Sequence, residues 1–309
     1  MNPVARWHVS GERVRYSAVD MRERSAVNYH MKVLADDDRF DAWVNNFRHD
    51  CLRFLRESVG VEIGGVVVEI GAGTGIYSCL LSRYQNVKKV YVLDYSPACV
   101  ERLFPFVASR FGLSEGEMAK LYPVVGSFDE MELPDESVDF VVAFGALHHS
   151  EDRHRTLEEV YRVLKLGGYL VAVDRAAENT TTNAELAARL DVEYSAEFKR
   201  AMGYEPDQRY TRRMNSEHEP LMAEWEYLLS LVGFKHWVFW FKKSHPSTLG
   251  RLWRVFAPPF FHLFGNRLAR RRLTQLWHAK IPYYPWFSKA KNVDDVLILA
   301  KKLPYVPMP

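Results

Sequence analysis

Cysteine is scarce in this chain: Cys51, Cys79 and Cys99 are the only three in 309 residues. Their wide spacing fits neither a zinc pattern nor a disulfide framework, so reduced thiols are expected. No apolar run approaches the roughly 18–20 residues that a membrane-crossing helix needs. The opening stretch "MNPVARWHVSGERVRYS" lacks the apolar core of a secretion signal. These absences lead to the expectation of a cytoplasmic protein, soluble or at most peripheral at a membrane surface. Internal repeats and low-complexity tracts are also missing. What remains is globular in character, with 48% hydrophobic and 26% charged residues and a net charge of +2. That size allows one large domain or two small ones.

Residues 1–60 are polar with scattered aromatics. Phe40, Trp43, Val44, Phe47, Cys51, Leu52 and Leu55 recur at helical spacing, and glycines at 60, 64 and 65 end that pattern. From Val66 the rhythm changes to short apolar runs: Val66–Ile70, Val90–Leu93, Pro123–Val125, Val138–Phe144 and Tyr169–Val173. Helix-length segments such as Ala98–Phe111 and Arg155–Leu164 separate them. Strands alternating with helices imply a parallel sheet covered on both faces. After Asp174 the alternation stops, with a helix expected over Met222–Leu231. Further strands are expected at Phe234–Phe241 and Val296–Ala300, making seven.

"VVVEIGAGTGIYS", Val66 to Ser78, runs a strand into a turn with glycine at every second position. In such turns the first glycine permits the bend, the second admits a ligand to the backbone, and the third lets helix and strand pack closely. Free N–H groups at the helix start favour an anionic group. Glu69, two residues before Gly71, would repel a pyrophosphate. A ligand carrying an amine as well as a carboxylate suits the turn better. Asp94 ends the second strand 19 residues beyond Gly75, where a carboxylate can accept hydrogen bonds from ribose hydroxyls.

"VVVEIGAGTGIYS", "VYVLDYS", "VVGSFDEMELPDESVDFVVAFGALHHSED" and "EEVYRVLKLGGYLVAVD", in this order and spacing, resemble the class I S-adenosylmethionine-dependent methyltransferases of the small-molecule type. The resemblance runs continuously over about Val66–Asp174 and resumes at Leu228–Phe241 and Val296–Lys302. It implies a doubly wound, mostly parallel seven-stranded α/β sheet with a Rossmann-like methyltransferase fold. Residues 1–60 would be an N-terminal helical cover, and 61–241 with 293–304 the core. Within the core, 175–230 would be acceptor-side helices, and 242–292 would be a second, basic aromatic insertion. The implied cofactor is S-adenosylmethionine, with Glu69 near the methionine amine and Gly71, Ala72, Gly73 and Gly75 against the methionine moiety. Asp94 would hold the ribose, with Tyr95 beside the adenine and Phe144 also lining the cofactor. After Gly126 many members carry an Asp that contacts the adenine amine, whereas this chain has Ser127 and Phe128. Either Asp129 takes that contact, or the backbone and Phe128 make it.

Methyl transfer from a sulfonium is an in-line displacement in which alignment supplies most of the rate, and a hydroxyl acceptor also benefits from a base. His149 and His148 follow the fourth strand at the carboxyl edge and are base candidates, although one ring could be structural. His218, between Glu217 and Glu219, could be a base, a metal ligand or a polar helix flank. Asp174-Arg175 could touch the acceptor or cap the strand, and Tyr29-His30 could close over the cofactor or face the core. The fourth strand is not followed by the Asn/Asp-Pro-Pro-Tyr/Phe typical of enzymes that methylate nucleobase or glutamine amides. A metal is not expected.

From Lys242 to Asn292 there is no Asp or Glu, yet eleven of the chain's 41 basic residues fall there with ten aromatics. The remaining 30 basic residues face all 39 acidic ones, so the rest of the chain is acidic by nine. In "PPFFHLFGNRLARRRLTQLWHAK", Arg270, Arg271 and Arg272 crowd one side of an expected helix and Phe264, Leu268 and Trp277 the other. Three readings stand: a lid or acceptor pocket, a peripheral membrane contact through 250–287, and, less favoured, a nucleic-acid surface. The expected function is O-methylation of a small-molecule or glycan-like acceptor, anionic or lipid-linked. The alternatives are RNA or protein N-methylation and a non-catalytic cofactor-binding scaffold.

Overall fold

The computed structural model describes residues 1–8, 26–46, 52, 55–201, 204–241 and 295–304. The basic aromatic segment 242–292, with its arginine cluster, therefore lies outside the described residues, as do Phe47 and Cys51.

The strands are β1 (Ala5–Arg6), β2 (Gly65–Ile70), β3 (Val87–Asp94), β4 (Leu121–Val125), β5 (Val138–Phe144), β6 (Leu164–Arg175), β7 (Phe234–Phe241) and β8 (Asp295–Lys302). They form one sheet in the order β1-β4-β3-β2-β5-β6-β8-β7. All pairings are parallel except β6–β8 and β7–β8. The expected doubly wound α/β sheet is present. Seven strands were expected and eight are found: the extra one is the two-residue β1, paired in parallel with Val124-Val125 on the β4 edge. Two residues carry no readable alternation, so this edge strand is not visible in the sequence pattern.

Helices cover both faces: α1 (Asp37–Asn46), α2 (Ile76–Ser82), α3 (Phe104–Arg110), α4 (Glu115–Ala119), α5 (Arg153–Val163), α6 (Asn183–Leu190), α7 (Ala196–Ala201) and α8 (Met222–Val232). The helix expected over Ala98–Phe111 divides into a wide turn at Cys99–Leu103 and α3. Asp152 starts α5 by accepting a hydrogen bond from the Arg155 N–H at 3.0 Å, and left-handed Gly233 ends α8. No described helix is long and apolar enough to cross a membrane.

Strand alternation divides the core into two layers. Val67, Val90, Val92, Phe140, Val142 and Val171 face α2, α3 and the N-terminal helices, where Leu81, Phe104 and Val27 are buried. Val68, Ile70, Leu93, Val141 and Ala143 face α5 and α8, where Leu157, Val160 and Trp225 are buried. This order leaves every parallel strand ending on one edge, at Arg6, Ile70, Asp94, Val125, Phe144 and Arg175. Phe241 pairs with Asp295, and Asp295 pairs with Arg175, so the chain leaves β7 and re-enters β8 at that same edge.

Candidate cofactor and acceptor site

The glycine turn follows β2 directly, and Gly71, Gly73 and Gly75 all have positive φ (61°, 53° and 68°). Their surroundings differ. A Cβ on Gly71 would lie 2.5 Å from the Ala146 Cβ, and one on Gly75 would lie 2.1 Å from the Phe104 ring. A Cβ on Gly73 would meet nothing within 4 Å. Two glycines are thus required by packing, and the third leaves backbone open for a ligand. Two substitutions separate these roles. Gly75→Ala is expected to lower the melting temperature, while Gly73→Val should weaken cofactor binding more than it weakens the fold. Thermal melts beside a binding titration check both.

Asp94 anchors the turn from β3. Its Oδ2 accepts from the Gly73 N–H at 2.7 Å and its Oδ1 from the Ser96 N–H at 2.9 Å, while the Ala72 N–H donates to the Leu93 carbonyl. Burial pushes the Asp94 carboxyl above the usual carboxylate range. Glu69 lies on the α2 face of β2 and is buried. Its Oε2 accepts from the Ser78 N–H at 2.8 Å and from the Ser78 hydroxyl. Burial outweighs those bonds and lifts its pKa to about 8. Such an acid favours an incoming cation, which would restore its charge.

Tyr95 stands exposed just past Asp94. Phe144 stacks on Tyr77, with ring centroids 3.7 Å apart. Ser127 is buried and its hydroxyl accepts from the Asp129 N–H, while Phe128 packs on the α5 side. One oxygen of Asp129 takes the Thr156 hydroxyl bond at the start of α5. These residues fit S-adenosylmethionine. Glu69 offers a carboxylate for an ammonium, Gly73 offers open backbone, and Asp94 retains spare lone pairs for hydroxyls.

Ala146, in contact range of Gly71, leads straight into the turn Leu147–His149. The His148 Nδ1 lies 2.7 Å from Asp174 Oδ1, and both residues are buried. Asp174 also accepts from the Leu147 and Arg175 N–H groups at 2.7 Å each. Burial alone would raise its carboxyl, but His148 and these donors outweigh that and hold it low. The His149 Nδ1 lies 3.2 Å from the Ser216 carbonyl, and its ring centroid is 4.1 Å from that of His148. His149 is an exposed residue beside buried His148. Desolvation by the protein around it, followed by the neighbouring His148, pushes its pKa down to about 4.

His218 arrives from 70 residues away, its N–H and Nδ1 both directed at the His148 carbonyl, 3.1 and 2.9 Å distant. The three candidate histidines therefore meet. Among the described residues, no group of three or more His, Cys, Asp or Glu side chains could hold a metal ion. Tyr29 and His30 lie in the N-terminal helical region, partner each other edge to face, and have no described contact with this site.

Several contributors carry no sequence signal. Ser78 and Ser96 look like ordinary polar residues, yet they hold Glu69 and Asp94 in place. Trp7 reaches the end of β4, where a Cβ on Gly126 would be 3.0 Å from its own Cβ. Glu217 is buried among Arg175, Arg212, Tyr194 and Asn215, a grouping that only the tertiary structure assembles.

Residues 68–172 match a family described as "Methyltransferase domain". The chain is 29% identical over 152 residues to a sterol 24-C-methyltransferase from Aspergillus fumigatus, covering 49% of this chain and 38% of that protein. It is 31% identical over 128 residues to a dimethylglycine N-methyltransferase from Parasynechococcus marenigrum, covering 41% and 44%. The chain thus spans less than half the length of these two relatives. A solved structure of a candidate methyltransferase from Bacillus halodurans shares the fold at a TM-score of 0.52 and 19% identity, covering 82% of this chain and 99% of that one. Together with the sequence motifs and the geometry above, these matches mean that the chain carries, over residues 68–172, a methyltransferase domain of the class I S-adenosylmethionine-dependent kind.

Proposed function

We propose that the chain transfers the methyl group of S-adenosylmethionine to an oxygen of a small-molecule or glycan-like acceptor that is anionic or lipid-linked, without a metal. The observation that carries this reading is the contact of two turns: Gly71 of the cofactor loop abuts Ala146, the residue leading into the histidine turn. Bound S-adenosylmethionine supplies a sulfonium methyl, and its sulfur keeps the electron pair of the broken S–C bond. Glu69 and Asp94 orient the two ends of that molecule, and the open backbone at Gly73 lets it approach. His149 takes the acceptor's proton on Nε2 as the new C–O bond forms, then passes it to solvent. An oxygen being alkylated becomes far more acidic than an imidazolium of pKa about 4, so even this weak base accepts the proton. His148, buried against Asp174, holds the turn in shape rather than touching the acceptor.

The acceptor class is supported by charge and tethering. Segment 242–294 is strung between Phe241 and Asp295, both at the carboxyl edge of the sheet. Its arginines and aromatics, with no acid between 242 and 292, suit an anionic or lipid-linked molecule presented at a membrane surface. The relatives act on a sterol and on dimethylglycine according to their names, a lipid and a carboxylate. The same composition gives a second reading, RNA as acceptor, which requires affinity that falls steeply with salt.

Incubation of the purified chain with methyl-labelled S-adenosylmethionine and cell extract, followed by solvent partition, tests the proposal. Label in the organic phase is expected for a lipid-linked acceptor, and nuclease-resistant aqueous label for a soluble one. Label released only by nuclease would replace the proposal with the RNA reading.

A further inference from the structure

We propose that residues 216–218 form a strap, clamped by the buried Glu217 knot, which fixes His149 with its proton on Nδ1 and leaves Nε2 open as the base. This deepens the proposed function and rests on it only for the part that concerns turnover.

The strap begins at Ser216, whose φ of 53° lies in the left-handed region and turns its carbonyl towards the His149 Nδ1, 3.2 Å away. A carbonyl only accepts, so Nδ1 must carry the hydrogen in that contact. Glu217, the next residue, is 5% exposed. Its carboxylate pairs with the Arg175 guanidinium, accepts from Arg212 Nε at 2.7 Å, and takes the Tyr194 hydroxyl and the Asn215 amide. The Arg212 fork continues to Glu219. His218 then donates from Nδ1 and N–H to the His148 carbonyl, closing the strap on the histidine turn. Holding a non-glycine residue at positive φ costs free energy, and a set of buried charge-assisted bonds on the adjacent residue is what can sustain it.

This clamp is unusual as mere packing. It converges from three separate stretches of chain, Arg175 at the end of β6, Tyr194 beyond α6, and Arg212–Glu219. The charged and titratable groups that act on His149 are His148 and Asp174 on the sheet side and Glu217 on the strap side. In water an imidazole prefers the proton on Nε2, so a histidine kept in the other neutral form needs an acceptor placed at Nδ1. The strap supplies it, which makes Glu217 a positioning residue for the base.

The test uses the whole chain labelled with nitrogen-15 in histidine, with the His149→Gln variant assigning the resonance. In the unaltered protein at pH 7, His149 is expected in the Nδ1–H form. An Nε2–H form would overturn the proposal without any variant having to fold. Glu217→Gln is expected to move the His149 signals towards the Nε2–H form and to lower kcat by about a hundredfold, the lower end of what a general base contributes. Its cofactor affinity should stay within about twofold, since no Glu217 partner belongs to the glycine turn. Unchanged His149 signals in a folded Glu217→Gln variant would overturn the strap. Full turnover by His149→Gln would instead sink the base assignment while leaving the strap standing, so the two failures are distinguishable.

Discussion

Asp94→Ala is expected to weaken S-adenosylmethionine binding at least a hundredfold while leaving the protein folded. The carboxylate does two things at once. Inside the protein it accepts from the Gly73 and Ser96 N–H groups at 2.7 and 2.9 Å, which fixes the path of the turn. Towards the ligand it retains a lone pair on each oxygen for the ribose hydroxyls. Charge-assisted bonds of this kind are worth about 1.5–3 kcal/mol each. Losing two of them amounts to roughly 3–6 kcal/mol, or a hundredfold and more in the dissociation constant. Asp94→Asn should fall between the two, because it keeps the shape and one accepting oxygen. Calorimetric titration gives the affinities, and a melting curve confirms that the variants fold. Affinity within a few-fold of the unaltered protein would remove Asp94 from the site.

Glu69→Gln is expected to act in opposite directions on stability and binding. Burial raises Glu69 from 4.5 to about 8, so the folded state holds a proton that the unfolded chain releases. Between those values the folded state binds more protons than the unfolded one, and stability therefore falls as pH rises from 4.5 through 8. At pH 7 the cost approaches about 3 kcal/mol, and an amide that cannot ionise escapes it. The ligand-free variant should melt higher than the parent at pH 7, and the gap should shrink at pH 5. The same variant should bind S-adenosylmethionine far more weakly, because it offers the ammonium no charge. A stabilising substitution that disables the site is the signature of a residue kept for binding. Equal loss of stability and affinity would instead mean that Glu69 is a structural acid.

The sequence reads well where chemistry and periodicity coincide. The parallel strands from Val66 to Val173 are continuous apolar runs because both of their faces are covered, and no competing pattern fits such runs between glycine turns. Glu69 was legible because a carboxylate inside an apolar strand demands a reason, and Asp94 because it ends the neighbouring strand at the same edge. Two features were not legible. The β1 strand rests on two residues, Ala5 and Arg6, whose pairing depends on a free edge at β4 rather than on their own propensity. The histidine cluster depends on a loop 70 residues distant folding back onto His148. "MNSEHEP" reads more readily as a polar helix flank. What gives it meaning is the burial of Glu217 among two arginines, a long-range fact that no local spacing encodes. Asp129 is the intermediate case: the resemblance offered it, or the backbone with Phe128, for the adenine contact, and one of its carboxylate oxygens accepts the Thr156 hydroxyl, a bond that no local spacing encodes.

The most direct test is a calorimetric titration of the unaltered protein with S-adenosylmethionine at pH 7, run in two buffers of different ionisation enthalpy. With Glu69 near pKa 8 in the free protein, most molecules carry its proton at pH 7, and an ammonium docking beside it expels that proton. Saturable binding at one site with release of close to one proton is the outcome that places the cofactor's amine against Glu69 in the glycine turn. The affinity should then strengthen by roughly tenfold per pH unit between pH 6 and 7.5. No saturable binding, or binding with the same heat in both buffers, would contradict it.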